Sequence, residues 1–290
     1  MSADTGFIGL GHLGRAMAGR LIGQGTKLIV WNRTASRADG LRAEKAKSPA
    51  DLANRCGIIF LNLCDSDAVR EVFTSPEGHL SGDCRDKVIV DTTTNHFEAV
   101  PGFYGLAAQA GPIYLGAPVL GSVVPASQGE LTILVGGNEI AFGRVRSLLD
   151  KLAKNIFYFP TPMAATRMKL VNNMVLGSFM ATIAEALVLG ETCGLERTKV
   201  LDILAAGAGN SAVLNAKRQK LIDEDYAPHF SAAAISKDLT YARDLSRSLN
   251  RPFLMAGMAR EVYSLVQRRG DDTRDLSIVF EILQGLRVKT

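Results

Sequence analysis

The sequence has few cysteines, and none of them is paired in a motif. The four are Cys56, Cys64, Cys84 and Cys193, and no two of them form a CxxC pair. Disulfide scaffolds and structural zinc sites need more cysteines or more closely spaced ones. We therefore expect reduced thiols in the core of a cytosolic (cytoplasmic) protein.

Patterns typical of metal sites and of membrane segments are also missing. The four histidines, at positions 12, 79, 96 and 229, have no second ligand at metal spacing, so no metal site is predicted. The first strand starts so early that we expect no signal peptide. The apolar stretch 170–189 approaches the length of a membrane span, but Asn172, Asn173 and Glu185 within it would be costly in hydrocarbon. We expect a buried helix there, and no membrane as a partner.

The chain lacks an excess of charge of either sign. It has 33 Lys and Arg against 29 Asp and Glu, a net charge of +4. The charges are interspersed, so the sequence predicts no nucleic acid as a partner. The basic run Lys217-Arg218-Gln219-Lys220 is expected to be a solvated helix face rather than a phosphate-binding patch.

What the chain does have is a glycine turn between a short apolar strand and a helix. The turn contains Gly9, Leu10, Gly11, His12, Leu13 and Gly14. In a strand-turn-helix context, GxGxxG is typical of dinucleotide binding: the first glycine allows the tight turn, the second admits the pyrophosphate, and the third lets the helix pack on the strand. The helix N-terminus then favours the phosphates. His12 either adds a phosphate contact or only completes the turn.

The end of the second strand, 27–31, indicates which dinucleotide is bound. Asn32, Arg33 and Thr34 stand where NAD-binding domains carry an acidic residue for the ribose 2′-hydroxyl. No carboxylate would repel a 2′-phosphate there, and Arg33 can pair with one. We predict NADP(H) as the cofactor. The alternative is that Arg33 only lies on an exposed loop.

The first half alternates strands and helices. Further strands are predicted at 58–63, 88–91, 113–115, 131–135 and 156–159. This pattern predicts an α/β fold, a Rossmann-type doubly wound and mostly parallel sheet, in a domain of residues 1–161. Cofactor contacts belong at the carboxyl ends of such strands, which adds Leu63, Cys64 and Thr94 to the predicted site.

The composition changes after Pro160 and Pro162, and no strand pattern follows. A helical pattern of 31 residues runs from Met163 to Cys193, and shorter helices are predicted at 196–205, 211–222, 231–249, 253–268 and 275–286. We predict a second domain of residues 162–290 that is all helical and is joined to the first by the long helix. A helix so apolar must be covered by other elements.

Lys169 and Asn173 are the candidate catalytic residues. They are four apart on the long helix and therefore share a face. Carbonyl reduction without a metal needs a proton donor for the oxygen that gains charge, and a lysine in a desolvated cleft can be that donor. A lone lysine would more often be a surface residue; the neighbouring amide and the apolar helix favour function.

These residues and several separated motifs resemble the β-hydroxyacid dehydrogenase family, most closely its NADP-dependent glyoxylate and succinic semialdehyde reductase branch. The resemblance covers nearly the whole chain. Besides the glycine turn, it rests on the segments 30–34, 91–94, 117–122, 129–134, 169–173 and 237–239.

The resemblance implies a role for each of several residues. Lys169 would be the catalytic lysine and Asn173 its partner, and Thr94 and Lys237 would contact the cofactor. Gly121 and Ser122 would hold a substrate carboxylate, and Phe230 and Asp238 would lie near the nicotinamide end. The family also implies a homodimer or homotetramer formed through the helical domain.

The chain departs from the family pattern beside the predicted substrate segment. Leu120 replaces a frequent serine, Val123 and Val124 replace lysines of the closest branch, and Met163 and Ala165 stand where the family has a glycine pair. A larger or less charged aldehyde is therefore an alternative to glyoxylate. The predicted function is NADPH-dependent reduction of a small aldehyde or ketoacid to the hydroxy acid. Imine reduction on the same scaffold and a non-catalytic NADP-binding scaffold protein are the alternatives.

Overall fold

A computed structural model describes residues 4–286 of the chain. Its internal contacts define two units, one ending at Lys169 and the other beginning at Leu170. The division falls inside the long helix, whereas the sequence led us to expect a boundary between residues 161 and 162.

The first unit is built on one nine-stranded sheet. The strands are β1 (Asp4–Ile8), β2 (Leu28–Trp31), β3 (Glu44–Lys45), β4 (Cys56–Leu61), β5 (Val88–Asp91), β6 (Ile113–Gly116), β7 (Val119–Leu120), β8 (Leu131–Gly136) and β9 (Ala153–Phe159). Their order is β3-β2-β1-β4-β5-β6-β8-β7, with β9 paired to β8. From β3 to β6 all pairs are parallel. The predicted mostly parallel sheet is confirmed, and the sequence missed only the two-residue strands β3 and β7.

The sheet changes direction next to β6. Strands β6 and β7 both pair antiparallel with β8, at Gly116 with Gly136 and at Val119 with Ile133. The two strands are thus one extended segment interrupted at Ala117-Pro118, where proline offers no N–H to a ladder. Strand β9 returns parallel to β8 and completes the sheet.

Helices cover both faces of this sheet. They are α1 (His12–Gly23), α2 (Pro49–Arg55), α3 (Ser66–Thr74), α4 (Val100–Ala110), α5 (Val123–Gln128) and α6 (Glu139–Leu149). Side chains cap several of them: Ser48, Asp65 and Asn138 each accept a hydrogen bond from a first-turn N–H. Alternate strand residues serve the two faces; Phe7, Val30 and Phe60 pack in one core and their neighbours Ile8, Ile29 and Ile59 in the other.

Helices make up the described part of the second unit. They are α7 (Pro162–Thr192), which begins in the first unit, then α8 (Arg197–Ala206), α9 (Ala212–Asp223), α10 (Ala232–Ser248), α11 (Met255–Arg269) and α12 (Val279–Gly285). The predicted all-helical second half is confirmed up to residue 286. Helix α7 is long and apolar enough to cross a membrane by length and composition alone. Its residues Met180, Ala184 and Leu187 are fully buried in the core of the second unit, as expected of a core helix.

The cysteines correct one expectation. All four lie in the described part of the chain and none forms a disulfide, but only Cys56 and Cys84 are buried. Cys64 and Cys193 are exposed, so half of the thiols are not core residues. The cause is their place in the fold: Cys64 follows the carboxyl end of β4, and Cys193 follows the end of α7.

Candidate active site

The three glycines of the turn differ in the space around them. Gly9 has φ +96°, and a Cβ there would lie 2.2 Å from the carbonyl oxygen of Asn62. A Cβ on Gly14 would lie 2.1 Å from the carbonyl oxygen of Gly9. A Cβ on Gly11 would meet nothing within 4 Å. The fold itself therefore requires glycine at positions 9 and 14, whereas at position 11 the space is open for a ligand.

The rest of the turn presents the N-terminus of α1. Leu10 is fully buried, and its N–H donates to Asn32 Oδ1 at 2.8 Å. His12 is exposed and Leu13 is half-buried. Gly11 is the N-cap, and no side chain among the described residues caps the helix. Uncapped N–H groups at a helix start, next to an open glycine, fit the pyrophosphate of a dinucleotide.

The loop after β2 carries the residues predicted to choose the cofactor. Asn32 joins the loop to the glycine turn, since its amide also donates to Thr34 O at 2.9 Å. Thr34 is exposed, and the Arg33 side chain is 81% exposed with its guanidinium 3.7 Å from Glu71. An ion pair so exposed is weak and leaves Arg33 able to bind an added phosphate.

The loops after β4 and β5 are tied together. Asn62 Nδ2 donates to Thr92 Oγ1 at 2.9 Å, and the N–H of Leu63 donates to Thr93 Oγ1 at 3.0 Å. Beside them Cys64 is exposed and Thr94 is half-buried. The structure thus brings the predicted residues of these two loops to one edge of the sheet, next to the glycine turn through Asn62 and Gly9.

Asp91 organises this edge. Its carboxylate is fully buried at the end of β5 and accepts hydrogen bonds from Thr93 N at 2.9 Å, Asn95 Nδ2 at 2.7 Å and Tyr114 OH at 2.6 Å. Burial raises the pKa of Asp91 although these donors oppose the shift. Asp91 was not among the site residues predicted from the sequence. The available signal was a carboxylate directly after the apolar run 88–90, followed by three threonines.

The predicted substrate segment lies at the start of α5. Gly121 is exposed with φ +119°, and Ser122 is the half-buried N-cap of the helix. The hydroxyl of Ser122 does not cap α5 within the described chain. Val123 is half-buried and Val124 is 44% exposed. The segment therefore offers a hydroxyl and backbone N–H groups beside an apolar surface.

The predicted catalytic residues lie on consecutive turns of α7. Lys169 is 7% exposed and Asn173 is 1% exposed. Such burial is unusual for a lysine. The alternative, that Lys169 is an exposed surface lysine, does not agree with it.

In the second unit, the Asn173 amide bonds to one residue of α10 and to its own neighbour on α7. Its Nδ2 donates to Asp238 Oδ2 at 2.5 Å, and Asn172 Nδ2 donates to Asn173 Oδ1 at 3.1 Å. The other oxygen of Asp238 lies 2.9 Å from Lys237 Nζ. Asp238 is 1% exposed, so the carboxylate of this ion pair is buried. The structure brings Asn173, Lys237 and Asp238 together.

Phe230 directly precedes the N-cap residue of α10, and its backbone bonds to a buried ion pair. Its N–H donates to Asp275 Oδ2 at 3.2 Å, and Lys217 Nζ lies 2.8 Å from the same oxygen. Burial would raise the pKa of Asp275, but the charge of Lys217 and the hydrogen bonds lower it. The expectation of a solvated basic run was wrong for two of its three cations. Lys217 is 6% and Lys220 7% exposed, because each pairs with an aspartate.

Known protein families match both units. Residues 4–159 match the family model described as the NAD binding domain of 6-phosphogluconate dehydrogenase. Residues 164–283 match the model described as NAD-binding of NADP-dependent 3-hydroxyisobutyrate dehydrogenase. The two matches together span nearly all described residues.

Individual relatives include nuclear factors and an enzyme. The chain is 34% identical to the cytokine-like nuclear factor N-PAC of Xenopus tropicalis over 278 residues, 95% of this chain and 52% of that protein. The chain therefore spans about half the length of this relative. It is 31% identical to glyoxylate/succinic semialdehyde reductase 2, chloroplastic, of Arabidopsis thaliana, over 99% of this chain and 81% of that one.

A solved structure shares the whole fold. Psf3 in complex with NADP+ and 2-OPP superposes with a TM-score of 0.90 at 28% identity, covering 96% of this chain and 99% of that chain.

Proposed function

The chain belongs to the β-hydroxyacid dehydrogenase family, and we propose that it is an NADPH-dependent oxidoreductase reducing a small aldehyde or ketoacid to the hydroxy acid. The observation that carries this proposal is the buried Lys169, one turn before the buried Asn173 on α7. A buried amine costs free energy in a fold that does not use it. Family membership, the open glycine turn and the Psf3 complex support NADP(H) as the cofactor.

The residues of the first unit have distinct parts in holding the cofactor. The turn from Gly9 to Gly14 binds the pyrophosphate through backbone N–H groups, and Arg33 binds the 2′-phosphate. The side chains of Leu63, Cys64 and Thr94 lie along the remainder of the nucleotide, and Lys237 is the further cofactor contact that the family resemblance implies. Arg33→Ala is therefore expected to lower kcat/KM for NADPH more than for NADH, which steady-state assays with both cofactors measure.

The chain's own chemistry is a proton transfer. Bound NADPH supplies the hydride that the carbonyl carbon receives. Lys169 gives a proton to the carbonyl oxygen, and in the reverse direction the neutral amine takes it back. Its positive charge, in surroundings that exclude most water, also stabilises the charge that develops on that oxygen. Asn173 holds the amine or the substrate oxygen, and its own amide is fixed by Asp238.

Gly121 and Ser122 bind the acid group of the substrate, and the family resemblance assigns Phe230 and Asp238 to the nicotinamide end. The apolar side chains of Val123 and Val124 favour a substrate larger or less charged than glyoxylate. Assays with NADPH and glyoxylate, succinic semialdehyde and an apolar aldehyde separate these possibilities. The highest kcat/KM on glyoxylate would contradict the apolar preference. Adding an amine to a ketone substrate in the same panel tests imine reduction.

Because N-PAC is described as a nuclear factor and not as an enzyme, one second candidate is a module that binds NADP(H) without turnover. The two functions differ in what Lys169 does. An enzyme needs its amine, whereas a binding module tolerates its replacement. A protein that binds NADPH but oxidises it with no carbonyl or imine in the panel would support the second candidate.

We further propose a cytosolic homodimer or homotetramer formed through the helical unit. Cytosolic location is supported by the lack of any disulfide among the four cysteines, all of which the structure describes. Self-association is supported by large apolar side chains exposed in the second unit, including Val175 at 41%, Phe179 at 47% and Met255 at 74%. Light scattering after size exclusion gives the assembly state, and Phe179→Glu is expected to shift it towards monomer. An unchanged state would count against this part of the surface.

A further inference from the structure

The helix that carries Lys169 begins in a notch at the end of the sheet. We call Gly116, Gly136 and Gly137 the glycine notch. A Cβ on Gly136 would lie 2.6 Å from the carbonyl oxygen of Pro162, the first residue of α7, and 3.2 Å from the Cβ of Ala165. Because a Cβ contact under 3.0 Å forces atoms to move, glycine at 136 lets α7 start directly against the sheet.

The hydroxyl of Tyr104 bridges the notch. It donates to Gly136 O at 2.8 Å and accepts from Gly116 N at 3.2 Å. Gly116 and Gly136 are the one pair through which β6 and β8 are in register, at the place where the sheet turns antiparallel. A Cβ on Gly137 would lie 3.0 Å from the same hydroxyl. The bridge therefore fixes the distance between two strand ends against which α7 packs.

The side chain of Tyr104 is fixed by its own contacts. It extends from α4, and its ring meets the ring of Tyr114 edge to face with centroids 4.8 Å apart. Burial raises the pKa of Tyr104 to about 12, so the hydroxyl keeps its proton and remains a donor at neutral pH.

The packed face of α7 continues into Lys169. Ala165 is fully buried and Thr166 is 3% exposed, and they precede Lys169 by four and three residues. Residues at these spacings share one helix face. Since a helix rises 1.5 Å per residue, Lys169 lies about 6 Å along the axis from Ala165, and a shift of the helix start is carried to it.

We propose that Tyr104 is a positioning residue for Lys169, acting through the glycine notch in which α7 begins. The importance of that position for turnover rests on the proposed function, whereas the link from Tyr104 to the start of α7 does not. Removing the hydroxyl leaves Gly136 O and Gly116 N without their bridge, and the strand ends and the helix start then relax together.

Tyr104→Phe tests this link, with Tyr158→Phe as the matched control. Tyr158 also donates its hydroxyl to a notch carbonyl, Gly137 O at 2.8 Å, but from β9, which is already paired with β8 along its whole length. Hydrogen exchange of peptides covering 162–169 is expected to become at least several-fold faster in Tyr104→Phe and to change little in Tyr158→Phe. Equal exchange in Tyr104→Phe and the unmodified protein, or an equal rise in both variants, would overturn the proposal.

Kinetic measurements distinguish a role of Tyr104 in positioning Lys169 from a general loss of rigidity. In Tyr104→Phe we expect kcat to fall by roughly tenfold, the scale of a small misplacement of a reacting group, while the Kd for NADPH stays unchanged. If Tyr104 only stabilised the fold, Tyr104→Phe would change both kcat and the Kd for NADPH, or neither of them. If Lys169→Ala loses turnover and Tyr104→Phe does not, the positioning proposal fails alone. If Lys169→Ala retains turnover, the proposed function fails, and hydrogen exchange still decides the link to α7.

Discussion

Replacing Gly11 by alanine separates what the fold needs from what a cofactor needs. The backbone angles of Gly11, φ −64° and ψ −176°, are open to any residue, and the added methyl meets nothing within 4 Å. Alanine is a poorer N-cap than glycine, so the free energy of unfolding should fall by only about 0.5–1 kcal/mol. The methyl would stand in the space assigned to the pyrophosphate. We expect NADPH to bind at least tenfold more weakly, a cost of about 1.4 kcal/mol or more.

Two other glycines on the same segment provide the controls. Gly19→Ala also adds a methyl in open space but within α1, so it should raise stability by about 1 kcal/mol and leave NADPH affinity unchanged. Gly14→Ala should cost more than about 3 kcal/mol or prevent folding, since its Cβ would lie 2.1 Å from Gly9 O. Thermal unfolding without ligand and fluorescence titration with NADPH measure both quantities. Gly11→Ala with normal NADPH affinity would refute the assignment of the turn.

Three further predictions concern acid stability, thiol reactivity and a buried ion pair. Burial lowers the pKa of His79 from 6.5 to about 4, so its contribution to stability is complete above pH 6.5 and is lost as the pH falls towards 4. Urea unfolding should show that the free energy of unfolding falls by about 2 kcal/mol between pH 7 and pH 4.5, and His79→Phe should abolish this loss. Alkylation detected by mass spectrometry should modify the exposed Cys64 and Cys193, and saturating NADPH should slow the alkylation of Cys64 only. Equal rates with and without NADPH would show that the nucleotide does not bind beside Cys64. Lys217→Met strands a buried carboxylate and should lower the free energy of unfolding by about 3–5 kcal/mol, whereas Arg218→Met, at a 31% exposed side chain, should cost less than about 1 kcal/mol in the same denaturation assay.

Local sequence patterns predicted the parts of this protein that depend on neighbours in the chain. Strand, turn and helix around Gly9–Gly14 follow from apolar runs and glycine spacing, and α7 was predicted within a residue at each end. The carboxyl ends of the strands placed Asn32, Leu63 and Thr94 at one edge because parallel strands share that edge.

Contacts between distant residues were not predictable in the same way. Lys217 pairs with Asp275, 58 positions away, and nothing in the basic run around Lys217 shows that partner. The Asp91 carboxylate is held by Tyr114, 23 positions on, through a sheet pairing that sequence periodicity does not specify. The bridge made by Tyr104 depends on the antiparallel switch at β6 and β8, which an alternating pattern cannot reveal.

The central claim is that the amine of Lys169 donates the proton in an NADPH-dependent reduction. Its most direct test is the pair Lys169→Ala and Arg167→Ala, the latter at an exposed position two residues earlier on the same helix. With the best substrate of the panel, we expect Lys169→Ala to lose turnover by orders of magnitude while its Kd for NADPH is unchanged, and Arg167→Ala to retain both. Turnover in Lys169→Ala equal to that of the unmodified protein would contradict the claim.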